Sequence, residues 1–285
     1  MSVRLRRLAV LLVLPVLAQC RATVDADTSA PARTDAATAP SSEYEIPADA
    51  EWIQLFDGRT LDGWVPKIQG HPLGENVLDT FRVEDGKLCV RYDRYVDWGD
   101  RFGHLFHVVP FSNYVLRAKY RFVGEQVPGG PGWAWRNNGL MIHGQDPSTM
   151  RLDQSFPVSI EVQLLGGAAE GERTNGNVCT PGTNVVMDGE LDRRHCISSN
   201  SETYRDDEWV EIEVVVHGSR EIVHRLGGRD VLRYEQPQLD PDDPDAARLL
   251  ANGADLLLSS GTISIQSESA PIEFERIEIL PLGTH

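Results

Sequence analysis

The chain has 285 residues, with 43 acidic against 27 basic side chains, a formal charge of −16 and 41% apolar composition. That excess of negative charge argues against nucleic acid as a partner and suits a neutral ligand such as a sugar. The length accommodates one domain of about 235 residues after a leader and a linker, within the range where all-β folds stay undivided.

Arg4, Arg6 and Arg7 precede the apolar run 8–17, a basic then hydrophobic order too short to persist as a membrane span. Residues 1–19 are therefore expected to be a signal peptide, and the protein to be exported to the periplasm or cell envelope. Two processing patterns overlap here. Val16-Leu17-Ala18 suits ordinary cleavage before Gln19, whereas Leu17-Ala18-Gln19-Cys20 resembles a lipoprotein box that would lipidate Cys20. In the second case the lipid anchor is the only expected link to a membrane. Residues 20–50, rich in Ala, Thr, Ser, Pro and Asp, read as a disordered tether, and 51–285 as the folded domain.

Within the domain, short alternating runs and Asp-Gly turns dominate. Trp52–Gly58 and Leu61–Trp64 each close on such a turn, and Phe81–Val90 reads as a hairpin through Asp85-Gly86. Asn113–Val123 alternates apolar with basic side chains, as a strand with one solvated face does. Gly129–Arg136 is a glycine-rich loop without the spacing of a phosphate-binding motif, and it carries Trp133 and Trp135. Two strands follow, Asn137–Gly144 and Ser159–Gly166. In the second, Ile160, Val162 and Leu164 enter a core, while Ser159, Glu161 and Gln163 line the opposite face.

Further strands are expected at Glu208–Gly218, Glu221–Leu226, Val231–Tyr234, Gly261–Glu268 and Ile272–Ile279. His217 and His224 read as structural. The expected helix is Ala246–Asn252, with Asp245 as N-cap and Gly253 closing it. More than ten strands with so little helix predict an all-β sandwich of two antiparallel sheets, with at most one or two short helices.

In an exported protein a cysteine pair closing a short loop is expected to be oxidised, which pairs Cys179 with Cys196 and leaves Cys89 as a buried thiol. Such a loop of about 17 residues stabilises the fold by roughly 3 kcal/mol on the chain-entropy model. The alternative is three reduced, buried cysteines.

The order of motifs is more specific than any one of them. A Leu-Phe-Asp-Gly…Leu-Asp-Gly-Trp opening (55–64) is followed by Asn137-Asn138-Gly139, Ser159-Ile160-Glu161-Val162-Gln163-Leu164-Leu165-Gly166, Glu208-Trp209-Val210, Ile263-Ser264-Ile265-Gln266-Ser267-Glu268 and Phe274-Glu275-Arg276-Ile277. Over residues 50 to 282 this series resembles the DUF1080 family, also called the 3-keto-disaccharide hydrolase domain. The resemblance implies a concanavalin A-like jelly-roll sandwich and cleavage of 3-keto-glycosides by elimination and hydration. Gly176–Thr183 and His195-Cys196 look like features of one branch, which supports the cysteine pairing.

A retaining glucanase needs two carboxylates about 5 Å apart, usually on alternate residues of one strand, and here that strand offers Glu161 followed by Gln163. A single carboxylate suits another reaction, in which a C3 ketone acidifies the C2 proton and a base removes it. Glu161 is the candidate base and His143 the candidate acid. Gln163 and Gln266 would orient hydroxyls, Asn138 or Arg136 would stabilise charge on the C3 oxygen, and Trp133 or Trp135 would stack on a sugar ring.

No organic cofactor is expected. A divalent metal is left open, since neither His143 with Asp146 nor His104 with His107 supplies three ligands at an established spacing. The expected partners are an oligosaccharide or glycoside substrate and an oxidoreductase that makes the 3-keto sugar. The competing reading is a non-catalytic, lectin-like sugar-binding module, because the same sandwich serves both.

Overall fold

The computed structural model describes Ile46 and residues 49–283; the expected signal peptide, the Cys20 lipidation site and nearly all of the tether lie outside the described residues. The early strands are β1 (Ile53–Gln54), β2 (Trp64–Ile68), β3 (Phe81–Glu84), β4 (Lys87–Val90), β5 (Gly103–His107) and β6 (Asn113–Phe122). The middle of the chain supplies β7 (Asn137–Gly144), β8 (Ile160–Leu165), β9 (Asn177–Cys179), β10 (Thr183–Met187), β11 (Glu190–Asp192) and β12 (Cys196–Ile197). The remainder forms β13 (Val210–His217), β14 (Glu221–Leu226), β15 (Arg229–Leu239), helix α1 (Pro244–Ala251), β16 (Thr262–Ser267) and β17 (Ile272–Pro281).

These strands form two antiparallel sheets, as the alternation predicts. One has ten strands in the order β11-β10-β15-β14-β13-β6-β17-β4-β3, with β1 beside β17, and the other has seven in the order β12-β9-β8-β7-β16-β5-β2. The core lies between them. Leu140, Ile142, Ile160, Val162, Leu164, Ile263 and Ile265 of the smaller sheet meet Leu116, Tyr120, Ile212, Val214, Phe274 and Ile277 of the larger. At about 25 cal/mol per Å² of apolar surface removed from water, this face-to-face burial is the main driving force for the sandwich.

Two local expectations shift. The final strand does not alternate strictly: a bulge between Phe274 and Arg276 moves its register by one, so Ile272 and Phe274 and then Ile277 and Ile279 all face the core. Helix α1 starts two residues earlier than expected, with Asp243 rather than Asp245 as its N-cap; the Asp243 carboxylate accepts from the amides of Asp245 and Ala246, both at 2.9 Å. Pro244 at the first helical position explains the choice, since proline has no amide to cap and its fixed φ already suits a helix.

The exterior of the larger sheet is an ion-pair lattice, with Arg117 on Glu278 at 2.6 Å, Lys119 on Glu275 at 2.5 Å and Arg121 on Glu273 at 2.8 Å. Arg276 belongs to this lattice through Glu211 and Glu278. No helix among the described residues is long and apolar enough to cross a membrane.

Candidate active site

The smaller sheet turns its alternate residues away from the core, and that face is polar yet buried. Lys67 on β2, His104 on β5, Ser264 and Gln266 on β16, and Glu161 on β8 each expose 6% or less of their surface. Strand pairing sets them side by side: Lys67 opposes His104, His104 opposes Gln266, and Glu161 opposes Met141 on one flank and Cys179 on the other. Cys179 in turn opposes Cys196, and the two form the expected disulfide. Cys89 is the buried free cysteine, its thiol pushed up to about 11 by burial.

A cavity of 390 Å³ opens on this face, bounded by Trp133, Asn137, Phe156, Glu161, Gln163, His195, Glu268 and the disulfide. Gly139 lies beneath the side chains of Glu161 and Gln266. A Cβ there would lie 2.7 Å from Cγ and 2.8 Å from Oε1 of Glu161, and 3.0 Å from Oε1 of Gln266, so only glycine lets both side chains settle over the strand. The aromatic wall is continuous: Trp133 stacks on Phe102 with ring centroids 6.0 Å apart and planes within 3°, and Phe102 meets Phe156 at 5.1 Å. Trp133 itself is 56% exposed, which leaves indole surface open to a ligand.

The second carboxylate comes from Glu268, just past the end of β16, and corrects the expectation of a single acid. Glu268 is 2% exposed, and its Oε2 has no hydrogen-bond partner within the protein. The backbone that delivers it is strained at Ser269, with φ at 88°, and is clamped by Tyr92. The Tyr92 hydroxyl lies 3.0 Å from Ser267 Oγ and accepts from the Ser269 amide at 3.0 Å.

Burial pushes the Glu161 carboxyl up to about 8. The nearby Gln266 amide opposes the rise, although neither of its polar atoms makes a hydrogen bond of ordinary geometry. Glu268 is raised well above the usual carboxylate range, by burial first and then by the negative charge of Glu161. Both carboxyl groups therefore keep their protons through the neutral range, and the pair comes to hold a single proton as Glu161 ionises near 8.

His143 does not join them. Its backbone takes a positive φ of 49° at the end of β7, and its Nε2–H donates to the Gly218 carbonyl of the other sheet at 3.0 Å. Burial lowers its pKa to about 4, so the ring is neutral and serves as a tie between the sheets. Asn138 is also displaced from the cavity: being of the same parity as Leu140 and Ile142, it turns inward and donates from Nδ2 to the Gln266 carbonyl at 2.7 Å. Asn137 takes the cavity position in its stead, with Oδ1 buried and unpartnered.

Arg136 points elsewhere, to the Asp206 carbonyl and to the Asp207 carboxylate at 2.9 Å. Trp135 lies between the guanidinium groups of Arg136 at 5.6 Å and Arg173 at 5.8 Å, outside the cavity that Trp133 lines. Gln163 reaches the cavity as expected, held by the Asn177 amide, which donates to its Oε1 at 3.0 Å.

Glu268 and His195 were given no role from the sequence, and His104 was weighed only as a metal ligand. Glu268 lies two and four residues beyond Gln266 and Ser264 on the same period-two face, a signal present in the chain. His195 was visible only as the neighbour of Cys196. His104 sits beside Gln266 with both ring nitrogens unpartnered and its pKa lowered to about 3, chiefly by burial and further by Lys67.

His104 and His107 cannot share a metal, because His107 turns to the other face and packs edge-on against Trp64 at 5.1 Å. Asp146 is likewise committed, accepting from the Ser148 amide at 2.8 Å. Among the described residues no cluster of three or more His, Cys, Asp or Glu is arranged to hold a metal ion.

Two antiparallel sheets with a ligand-sized cavity on the outer face of the smaller one define a concanavalin A-like jelly-roll sandwich. The chain belongs to the 3-keto-alpha-glucoside-1,2-lyase-like domain family, whose model matches residues 51–280. Among solved structures it is similar to a putative glycosyl hydrolase from Parabacteroides distasonis, at 16% identity over 81% of this chain and 94% of that one, with a TM-score of 0.46. A carbohydrate binding module from Bacillus subtilis matches at 11% identity over 75% of this chain and 93% of that one, with a TM-score of 0.40. A Bacillus subtilis protein of unknown function with a galectin-like fold matches at 10% identity over 81% and 98%, with a TM-score of 0.48. No curated protein matches the sequence.

Proposed function

We propose that this protein cleaves 3-keto-glycosides by elimination followed by hydration, with Glu161 and Glu268 as its acid–base pair. The supporting observation is the pair of buried carboxyl groups lining one cavity with an open indole on its wall. Two carboxyl groups raised together are costly to bury, and a site that only binds neutral sugar has no need of them.

Glu161 ionises before Glu268, since it alone has the Gln266 amide beside it and Glu268 carries the repulsion of Glu161. The Glu161 carboxylate then takes the C2 proton of a bound 3-keto sugar, and the C–H electron pair moves into an enolate spread over C2, C3 and the C3 oxygen. Collapse of that enolate restores the ketone, forms the C1–C2 double bond and expels the glycosidic oxygen, which receives the proton of Glu268. Addition of water reverses the roles: Glu268 takes a proton from water as its oxygen bonds to C1, and Glu161 returns a proton to C2. The sum is hydrolysis, with both side chains regenerated.

Asn137, whose Oδ1 is unpartnered, and Gln163 line the cavity and are available for sugar hydroxyls, and Trp133 offers a stacking face. The ketone has to be supplied by an oxidoreductase acting on the same sugar. An N-terminal leader or lipid anchor would place that chemistry outside the cytoplasm, in keeping with the Cys179–Cys196 disulfide.

The test incubates the full chain with a 3-keto-disaccharide and its unoxidised parent in deuterated water and follows products by NMR. Deuterium at C2 of the released 3-keto sugar is expected, with the parent left intact. Saturable binding of the parent without any cleavage would favour the lectin-like reading, and cleavage of the parent alone would indicate an ordinary glycosidase.

A further inference from the structure

A second cavity of 330 Å³ adjoins the first, and the two share Phe156, Pro181 and His195 as a common wall. Their linings differ in kind. The first is edged by aromatic rings and the carboxylate pair, whereas the second is edged by Arg151, Asp153, Ser155, Asp243 and Asp245. Each volume is of the order that holds a single sugar ring, at the small end of ligand sites.

We infer that the second cavity is the leaving-group subsite, and that it selects a neutral polar sugar there. This rests on the proposed cleavage reaction for its direction: the keto sugar occupies the cavity that holds Glu161 and Glu268, so the group released from C1 is directed across the wall of Phe156 and His195. His195 and Phe156 border both spaces, so a disaccharide lying across the two cavities passes between them.

The charges in the second cavity define what it accepts. Arg151 is bound by Asp245, with Nε at 2.9 Å and Nη2 at 3.3 Å, and Asp153 lies 3.7 Å from its Nη1. Asp243 is committed to capping α1. One guanidinium lines the space among three carboxylates, and with Arg248, 3.7 Å from Asp245, counted as well the balance is still net negative, so an anionic leaving group such as a phosphate or a uronic acid is repelled. A hydroxyl-rich neutral ring finds acceptors on Asp153 and Asp245 and a donor on Ser155. The Asp153 side chain is 75% exposed, so substituting it alters the cavity without disturbing the core.

The experiment compares a 3-keto-disaccharide with methyl 3-keto-glucoside as substrates of the full chain and of two variants, Asp153→Trp, which fills the cavity, and Arg151→Ala. The ratio of kcat/KM values, disaccharide over methyl glycoside, is expected to fall at least ten-fold in Asp153→Trp and several-fold in Arg151→Ala. A ratio unchanged within two-fold in both variants overturns the subsite. A 3-keto-disaccharide with a carboxylated leaving sugar is expected to react at least ten-fold more slowly than its neutral counterpart, and equal rates overturn the charge selection.

If neither substrate is cleaved, the reaction proposed above fails while the subsite is still decided by binding. The unoxidised disaccharide should then bind at least ten-fold more tightly than methyl glucoside, and Asp153→Trp should erase that advantage. Equal affinities for the two sugars overturn the second cavity as a sugar site.

Discussion

Glu161 reaches the cavity from the start of β8 and Glu268 from just beyond the end of β16, and the charge of Glu161 helps to hold the proton on Glu268. The pair spans two non-adjacent strands with Gly139 of β7 between them, so the absence of one Cβ governs how closely the site can be built.

Glu161→Gln should lower kcat by about 10²- to 10⁴-fold while binding of the unoxidised sugar changes by only a few-fold, the range expected for loss of a general base. Single-turnover kinetics beside NMR titration separate the two quantities. Retained turnover would remove Glu161 from the mechanism.

The same variant should be more stable than the parent at alkaline pH. A carboxyl whose folded pKa lies above its unfolded value binds its proton more tightly in the native state, so native stability falls as pH rises from the ordinary 4.5 through about 8. Glu161→Gln escapes that loss, and its advantage should grow over this window to a few kcal/mol at most, given the interaction with Glu268. Denaturant melts from about pH 5 to pH 9 measure it; a constant difference across the series would show that the carboxyl is not raised.

Turnover should follow the same ionisation. kcat/KM is expected to rise with pH toward the region near 8 as Glu161 loses its proton, and to fall beyond it as Glu268 ionises. Glu268→Gln should keep the rising limb and lose the falling one. A flat profile in the parent protein would contradict an acid–base pair.

Gly139→Ala places a methyl group within 2.8 Å of the Glu161 carboxylate. Overpacking of this kind costs about 1 to 3 kcal/mol, and here the side chains that must move are Glu161 and Gln266. Activity should therefore fall by a larger factor than stability alone explains, while the fold persists by circular dichroism. Full activity in a folded Gly139→Ala protein would mean that the carboxylate position is not critical.

Acid should unfold the protein through its buried histidines. His104, His143 and His224 have pKa values lowered to about 3, 4 and 4, mainly by burial, so the unfolded chain takes up protons from about 6.5 downward that the native state refuses. Stability is complete above that value and is lost as pH falls toward 4. His224, which bridges the Gly176 carbonyl at 2.8 Å and the Tyr234 hydroxyl at 2.9 Å, is the best single probe. His224→Gln should lower stability at pH 7 yet flatten the acid transition, and an unchanged acid slope would refute its share.

Much of the fold was legible because a strand reports its own facing. The period-two runs at 113–123, 159–166 and 261–268 foretold which side chains enter the core, and Asp-Gly turns marked the hairpins. Gln163 was read into the site by the same rule and Trp133 from its place on a glycine-rich loop, and both line the cavity. Asn138 was misplaced by one residue, and a one-residue slip on a strand exchanges the ligand face for the core. His143 has the right parity on paper, but the positive φ of 49° at that position breaks the alternation and sends its ring to the other sheet.

By itself the sequence determined a two-sheet antiparallel sandwich, the family, and a polar stripe along the strand that carries Glu161, since alternation and turn chemistry are local properties. Only the tertiary structure decided which stripes lie beside one another. Register across β5, β16, β7 and β8 brought Glu268, Gln266 and His104 to Glu161 and left His143, Arg136 and Trp135 outside. The desolvation that raises both carboxyl groups belongs to the tertiary structure too: Trp133 and Phe156, joined through Phe102, wall the cavity over the sheet, and the burial cannot be assigned to any one strand.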